Sequence, residues 1–208
     1  MWPAEAIDFL RDLEANNDRD WFKANRERYD EYLVEPARGL AARLAHLGEP
    51  YLFRPYNDTR FHMRPPLKEQ LGVAIGYGSA GGYYVEISLD GLLVAAGLYH
   101  PASDQLARFR AAIDDGRRAA AFERTVAAAG EAGLELTAPE LKRAPRGYPL
   151  DHPRIDRLRL KSITVHRRRP VGAWLHKRSA DDRVQRELES ARPLVRWLGK
   201  HVGPPAAR

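Results

Sequence analysis

The sequence predicts an α+β domain of two layers, with helices packed on a mostly antiparallel sheet. Three observations carry that expectation. A chain of 208 residues with 44% apolar and 30% charged residues holds material for one core. Apolar residues recur at helical spacing near both ends of the chain, and residues 83–98 alternate as a hairpin does.

The elements follow in order. Pro3 stands where a first-turn proline is tolerated, and Ile7, Leu10 and Leu13 mark a first helix that Asn16-Asn17 ends. Asp18 or Asp20 can cap a second helix, with Trp21, Phe22, Tyr29, Tyr32 and Leu33 as its apolar face. Pro36 kinks or restarts it, and Leu40, Leu44 and Leu47 continue the stripe. From Gly48 to Pro66 the chain reads as irregular, with four prolines and the Asn57-Asp58 pair. Tyr83, Val85, Ile87 and Leu89 then alternate with Tyr84, Glu86, Ser88 and Asp90. Asp90-Gly91 offers a type I′ turn into Leu92–Leu98, which gives a Tyr83–Leu98 hairpin. Ser103 is expected to cap a helix through Leu106, Phe109 and Ile113, and a further helix runs from about Arg117 to Ala129, stopped by Gly130. Leu134–Thr137 and Leu158–Val165 read as strands. A last helix begins near Asp181 and uses Val184, Leu188, Leu194, Val195, Leu198 and Val202, with Pro193 breaking or bending it. Residues 1–203 are expected to form a single domain and 204–208 a short disordered tail.

Several function classes fall away at once. The chain has no cysteine, which excludes disulfides, thiolate nucleophiles, Cys-ligated zinc and iron–sulfur clusters. Its first residues lack the basic start and apolar core of a signal peptide. The longest apolar stretch, Gly91 to Tyr99, is far shorter than the roughly 20 residues that cross a bilayer. A soluble, cytoplasmic protein without membrane attachment is expected.

Gly76-Tyr77-Gly78-Ser79-Ala80-Gly81 spells G-x-G-x-x-G after the apolar run Val73-Ala74-Ile75. A dinucleotide site needs a helix directly after the glycines, whereas here they run into the strand pattern of Tyr83-Tyr84-Val85. A loop between strands is the better reading. The nucleophile-elbow pattern fails too, because Tyr77 occupies the place of its first glycine. The seven histidines show no H-E-x-x-H or H-x-H spacing, and Asp151-His152 with Asp156 reads as a polar surface turn. No metal and no cofactor are expected.

Charge is regional. The net charge of +6 comes from 34 basic residues, 28 of them Arg, against 28 acids. Residues 142–178 hold 12 Lys or Arg and two Asp, a net +10, which leaves −4 on the remainder. On an expected strand, Arg157, Arg159 and Lys161 would share one face about 7 Å apart, a spacing comparable to successive phosphates. A solvated outer face in an Arg-rich chain would look the same. Aromatics for base stacking are sparse in this segment, with Tyr148 and Trp174 only.

Several segments together resemble one family. They are Phe9-Leu10 with Asn16-Asn17-Asp18-Arg19-Asp20-Trp21-Phe22, Asp58-Thr59-Arg60-Phe61 leading to Pro66-Leu67-Lys68, and Tyr83-Tyr84. Leu106, Arg110 and Ile113 follow, then Leu141 to Tyr148 and His152-Pro153. Over about residues 4–170 this order is similar to an uncharacterised bacterial and fungal family, domain of unknown function 2461. The resemblance implies an α+β domain and brings no activity. One departure stands out. The family shows Asp-Lys-x-Pro-Tyr-Lys after Arg-Phe, whereas this chain has Met63-Arg64-Pro65-Pro66-Leu67-Lys68, which lacks the acid and the tyrosine but keeps the cations.

The residues then support binding of an anionic, phosphate-bearing small molecule or nucleic acid. Arg60, Lys68, Arg110, Lys142, Arg146 and Lys161 would supply charge, and Tyr148 or Tyr84 a ring or a hydrogen bond. The alternative is an enzyme of acid–base or phosphoryl/hydrolytic chemistry that uses Asp58, Tyr148 or His152 near those cations. The Asn16–Phe22 corner is expected to be architectural, its tandem Asn ending a helix and its aromatics filling core.

Overall fold

The computed structural model describes residues 1–58, 60, 64–78 and 80–206. Thr59, Phe61, His62 and Met63 of the family-like segment, Ser79 of the glycine loop and the last two residues of the tail lie outside the described residues.

The fold is α+β, with a six-stranded antiparallel sheet in the order β1-β2-β3-β4-β6-β5. The strands are β1 (Pro50–Leu52), β2 (Gln70–Ile75), β3 (Gly82–Ser88), β4 (Gly91–Leu98), β5 (Glu135–Leu136) and β6 (Ile163–Arg169). β3 and β4 form the expected hairpin around Asp90-Gly91. Tyr83, Val85 and Ile87 are buried on one face, as alternation requires. The glycines from Gly76 to Gly81 connect β2 to β3 with no helix behind them, which removes the dinucleotide reading.

The chain divides into two compact units. The first comprises Met1–Ile75, Tyr84–Val94 and Arg168–Gln185; the second comprises Gly76–Tyr83, Ala95–Arg167 and Arg186–Arg208.

In the first unit, α1 (Ala4–Ala15) buries Ile7, Phe9, Leu10 and Leu13. Asp18 is the cap of α2 (Arg19–Ala24), accepting the N–H groups of Asp20 and Trp21 at 2.9 and 2.8 Å. The expected second helix is interrupted. Asn25 separates α2 from α3 (Arg26–Tyr29), a π-helical segment covers Asp30–Val34, and α4 spans Glu35–Leu44. Within the π segment the Glu35 N–H reaches the Asp30 carbonyl five residues back. The widened turn lies just ahead of Pro36, whose missing N–H and ring cannot close an ordinary turn there. Tyr29, Leu33, Ala37, Leu40 and Leu44 still make one buried stripe, and α4 packs on β1 and β2. β1 itself is an unexpected strand inside the stretch read as irregular, pairing Tyr51 with Ala74 and Leu52 with Val73.

In the second unit, α5 (Ser103–Asp114) and α6 (Gly116–Glu131) pack together and against α9 (Arg192–His201). Phe109, Phe122 and Trp197 form its aromatic core, with ring centroids 5.1–6.2 Å apart. The caps differ from expectation. Ala102, not Ser103, precedes α5, and the Gln105 side chain accepts its N–H at 3.0 Å. α6 runs through Gly130, and Gly133 at φ +83 takes the left-handed turn that follows. The last helix is two, α8 (Ser179–Ser190) and α9, with Pro193 in the first turn of α9.

The largest correction concerns residues 155–162. Ile155–Leu158 is a short helix, α7, and β6 starts only at Ile163. Leu158 and Leu160 are both fully buried, so their spacing of two reflects a helix end and the bend after it. Arg157, Arg159 and Lys161 therefore do not line a strand face.

Candidate functional site

Two clusters of polar and aromatic side chains stand out, one in each unit.

In the first unit, Asn17 fastens the segment after the irregular loop. Its amide donates to the Leu67 carbonyl (3.1 Å) and Glu69 Oε1 (2.7 Å), and its oxygen accepts the Leu67 N–H at 3.0 Å. Asn57 donates to the Pro65 and Leu67 carbonyls at 2.9 and 3.0 Å, and an isolated bridge joins Tyr56 to Leu67. Lys68 is thereby set in place. Its ammonium donates to the Arg54 carbonyl at 3.0 Å and lies 5.5 Å from the centroid of the Phe53 ring. Burial, and then the nearby Arg54 charge, push this ammonium below the usual lysine range.

A row of rings extends from that lysine. Tyr51 and Phe53 stand 5.1 Å apart edge to face, and Phe53 is 6.1 Å from Tyr84. Tyr51 is 59% and Phe53 38% exposed. The hydroxyl end of Tyr84 sits against Gly72 on β2, where a side chain would collide with it. Its hydroxyl donates to Glu86 Oε2 at 2.9 Å. Glu86 is only 7% exposed, and Arg168 neutralises it by donating to Oε1 at 3.0 Å while also donating to Ser88 at 3.0 Å. Arg60, expected to bind an anion, holds Asp58 in a two-pronged pair at 3.0 and 2.7 Å on the surface. The Arg60 side chain and its backbone N–H keep the Asp58 carboxyl below the ordinary range, so this acid is a poor base.

In the second unit, α5 presents Arg110 and Asp114 on one face, four residues apart. His152 Nε2 stands 3.0 Å from Asp114 Oδ1, and its Nδ1 accepts the Arg154 N–H at 3.0 Å. With Nδ1 accepting, it is Nε2 that donates to the acid. The His152 side chain is 10% exposed and that of Asp114 55%, so the carboxylate, not the imidazole, faces solvent. Arg154 donates to the Ile113 carbonyl (2.6 Å) and the Asp114 carbonyl (2.5 Å), covering the C-terminus of α5. Tyr148 packs edge-on against His152, centroids 6.0 Å apart. Burial and the Asp114 charge raise the Tyr148 hydroxyl, while Arg110 opposes them. Arg110 donates through Nε to the Leu158 carbonyl at 3.1 Å.

Of the residues expected to bind an anion, Arg110 and Tyr148 thus share one cluster, with His152 of the enzymatic alternative beside them. Lys142, Arg146 and Lys161 are exposed in irregular segments of the same unit; among the described residues no hydrogen bond or ion pair ties them to that cluster. Arg60, Lys68 and Asp58 belong to the first unit. The sequence reading passed over Arg54, Tyr51, Phe53, Asp114 and Arg154. Two signals were available: the aromatic pair two residues apart, and the four-residue step from Arg110 to Asp114.

Among the described residues no helix is long and apolar enough to cross a membrane. No group of three or more His, Asp or Glu residues among them could hold a metal ion. No curated protein and no solved structure matches the chain. A family model described as "Conserved hypothetical protein (DUF2461)" matches residues 5–197, nearly the whole length, and the chain belongs to that family.

Proposed function

We propose that the chain binds an anionic, phosphate-bearing ligand at the Lys68 cluster of the first unit. One observation carries this reading: Lys68 is held by a carbonyl and a ring, neither of which neutralises it, next to a second cation, Arg54. Three acids of the same unit are already engaged, Glu86 by Arg168, Asp58 by Arg60 and Glu69 by the Asn17 amide. An incoming phosphate relieves the repulsion between the two cations and gains charge-assisted hydrogen bonds. Calorimetric titration of the full chain with inorganic pyrophosphate tests the reading. Binding is expected to weaken at least tenfold in Lys68→Met and to fall with added salt; affinity equal in wild type and variant overturns it.

A second reading, acid–base chemistry on a phosphoryl or ester substrate, is favoured by the Asp114–His152 contact beside Tyr148 and Arg110. In that reading Asp114 is the base, and His152, with both ring nitrogens engaged, orients it. Arg110 would hold the substrate anion and Tyr148 would donate a proton or a hydrogen bond. Turnover of p-nitrophenyl phosphate or p-nitrophenyl acetate is expected to be abolished by Asp114→Asn and reduced by His152→Gln. Turnover unchanged in Asp114→Asn removes this reading.

A further inference from the structure

We infer that the ligand of the Lys68 cluster is a nucleotide unit, a phosphate carrying an aromatic base, either free or within a single strand. This rests on the anion-binding reading above and adds the identity of the ligand's uncharged part. The ring row is what demands it. Tyr51 and the Lys68 ammonium flank the same Phe53 ring, at 5.1 and 5.5 Å from its centroid. A cation for phosphate and an exposed ring for a base therefore lie within one side chain of each other. A simple anion site has no use for Tyr51, which is more than half exposed on the short strand β1, where burial would normally favour the opposite.

The strand geometry keeps the rings available. Tyr51 and Phe53 are two apart on the chain and so share a face, and the Phe53 N–H bonds to the Gly72 carbonyl at 3.0 Å. Because Gly72 has no side chain, Tyr84 can occupy the space against it and stand edge-on to Phe53, centroids 6.1 Å apart. The platform is thus held by backbone and by neighbouring rings, which lowers the entropy lost when a base stacks on it. Base–aromatic stacking tolerates any base, so the site is expected to discriminate nucleotides from plain phosphates more than one base from another.

The test compares four probes on the full chain by calorimetry: inorganic pyrophosphate, adenosine 5′-diphosphate, adenosine, and a twelve-residue oligothymidylate. The diphosphate nucleoside is expected to bind about tenfold tighter than pyrophosphate. Tyr51→Ala is expected to erase that advantage while leaving pyrophosphate affinity unchanged; Lys68→Met weakens every phosphate-bearing probe. Tyr51 is exposed, so its replacement leaves the core intact, and an unchanged thermal melt of each variant verifies folding. Oligothymidylate binding tighter than the mononucleotide by more than its number of sites assigns the strand as the source; equal affinity per site assigns the free nucleotide. Pyrophosphate and the nucleotide binding alike would overturn the nucleotide inference and leave the anion site standing. Failure of all four probes removes both. Tyr51→Ala weakening pyrophosphate as much as the nucleotide also overturns the inference, since Tyr51 would then be supporting the cation and not stacking.

Discussion

Asn17 shows how one side chain can be read for position but not for role. Its place after a helical stripe marks a helix end, which α1 has there; its three hydrogen bonds to Leu67 and Glu69, fifty residues on, have no local signature. Asn17→Ala leaves the Leu67 N–H without its side-chain acceptor and is expected to lower stability by roughly 2 kcal/mol, measurable as a shift of the urea midpoint. Lys68 repeats the lesson. Its charge was legible, whereas the partners that leave it uncompensated, Phe53 and Arg54, follow directly after β1 and could be seen only in three dimensions. His152 was legible as a candidate and proves to be held at both nitrogens, which leaves Asp114 as the exposed member of the pair. No spacing rule could have found that exchange, because the two residues are 38 positions apart.

At the level of elements, periodicity succeeded where one face of a segment is buried over its whole length. The hairpin, α1, α5 and α6 were all legible for that reason. Residues 155–162 were not, because two buried leucines two apart fit a strand and a helix end equally well. The π segment was invisible for a different reason: it keeps the same residues buried while adding one to the turn, so the stripe reads as continuous. Tight packing between strands is a further feature without a periodic signal. Gly97 on β4 has φ +128, and a Cβ there would collide with the Ile163 carbonyl on β6. Gly97→Ala combines an unfavourable backbone conformation with that collision, and a loss of about 2–3 kcal/mol is expected in chemical denaturation. Tyr29, at the start of the altered turn, gives the first-unit helices a pH dependence. Burial pushes its hydroxyl from 10.0 up to about 12. The unfolded chain loses this proton first, so stability is full below pH 10 and falls as pH rises towards 12. The contribution lost is about 2–3 kcal/mol. Subtracting the unfolding profile of Tyr29→Phe from that of the wild type between pH 9 and 12 isolates it; parallel profiles would contradict the assignment.

For the molecule as a whole, the net +6 and the +10 of residues 142–178 suggested a basic binding surface. The structure uses many of those cations internally. Arg157 grips Glu123 with two hydrogen bonds, at 2.8 and 3.0 Å. Arg154 covers a helix end, Arg167 donates to the Ala132 carbonyl and Arg168 neutralises Glu86. Charge counting along the sequence cannot tell such a fastener from an exposed cation. Charge reversal at Lys142 and Arg146 together is expected to leave pyrophosphate affinity within about twofold at 0.15 M salt, where the Debye length is about 8 Å. A larger loss would return the ligand to the basic segment. The interleaving of the two units has a last consequence, for synthesis on the ribosome. Lys68, Arg54 and the rings of the first unit emerge early, yet the third segment of that unit begins only at Arg168. Until then Glu86 has no counter-ion, and a nascent chain shorter than 168 residues carries a bare carboxylate on Tyr84 where the finished protein has a neutral pair. The neutral Glu86–Arg168 pair that braces the Tyr84 hydroxyl is thus completed only after Arg168 has been added to the chain.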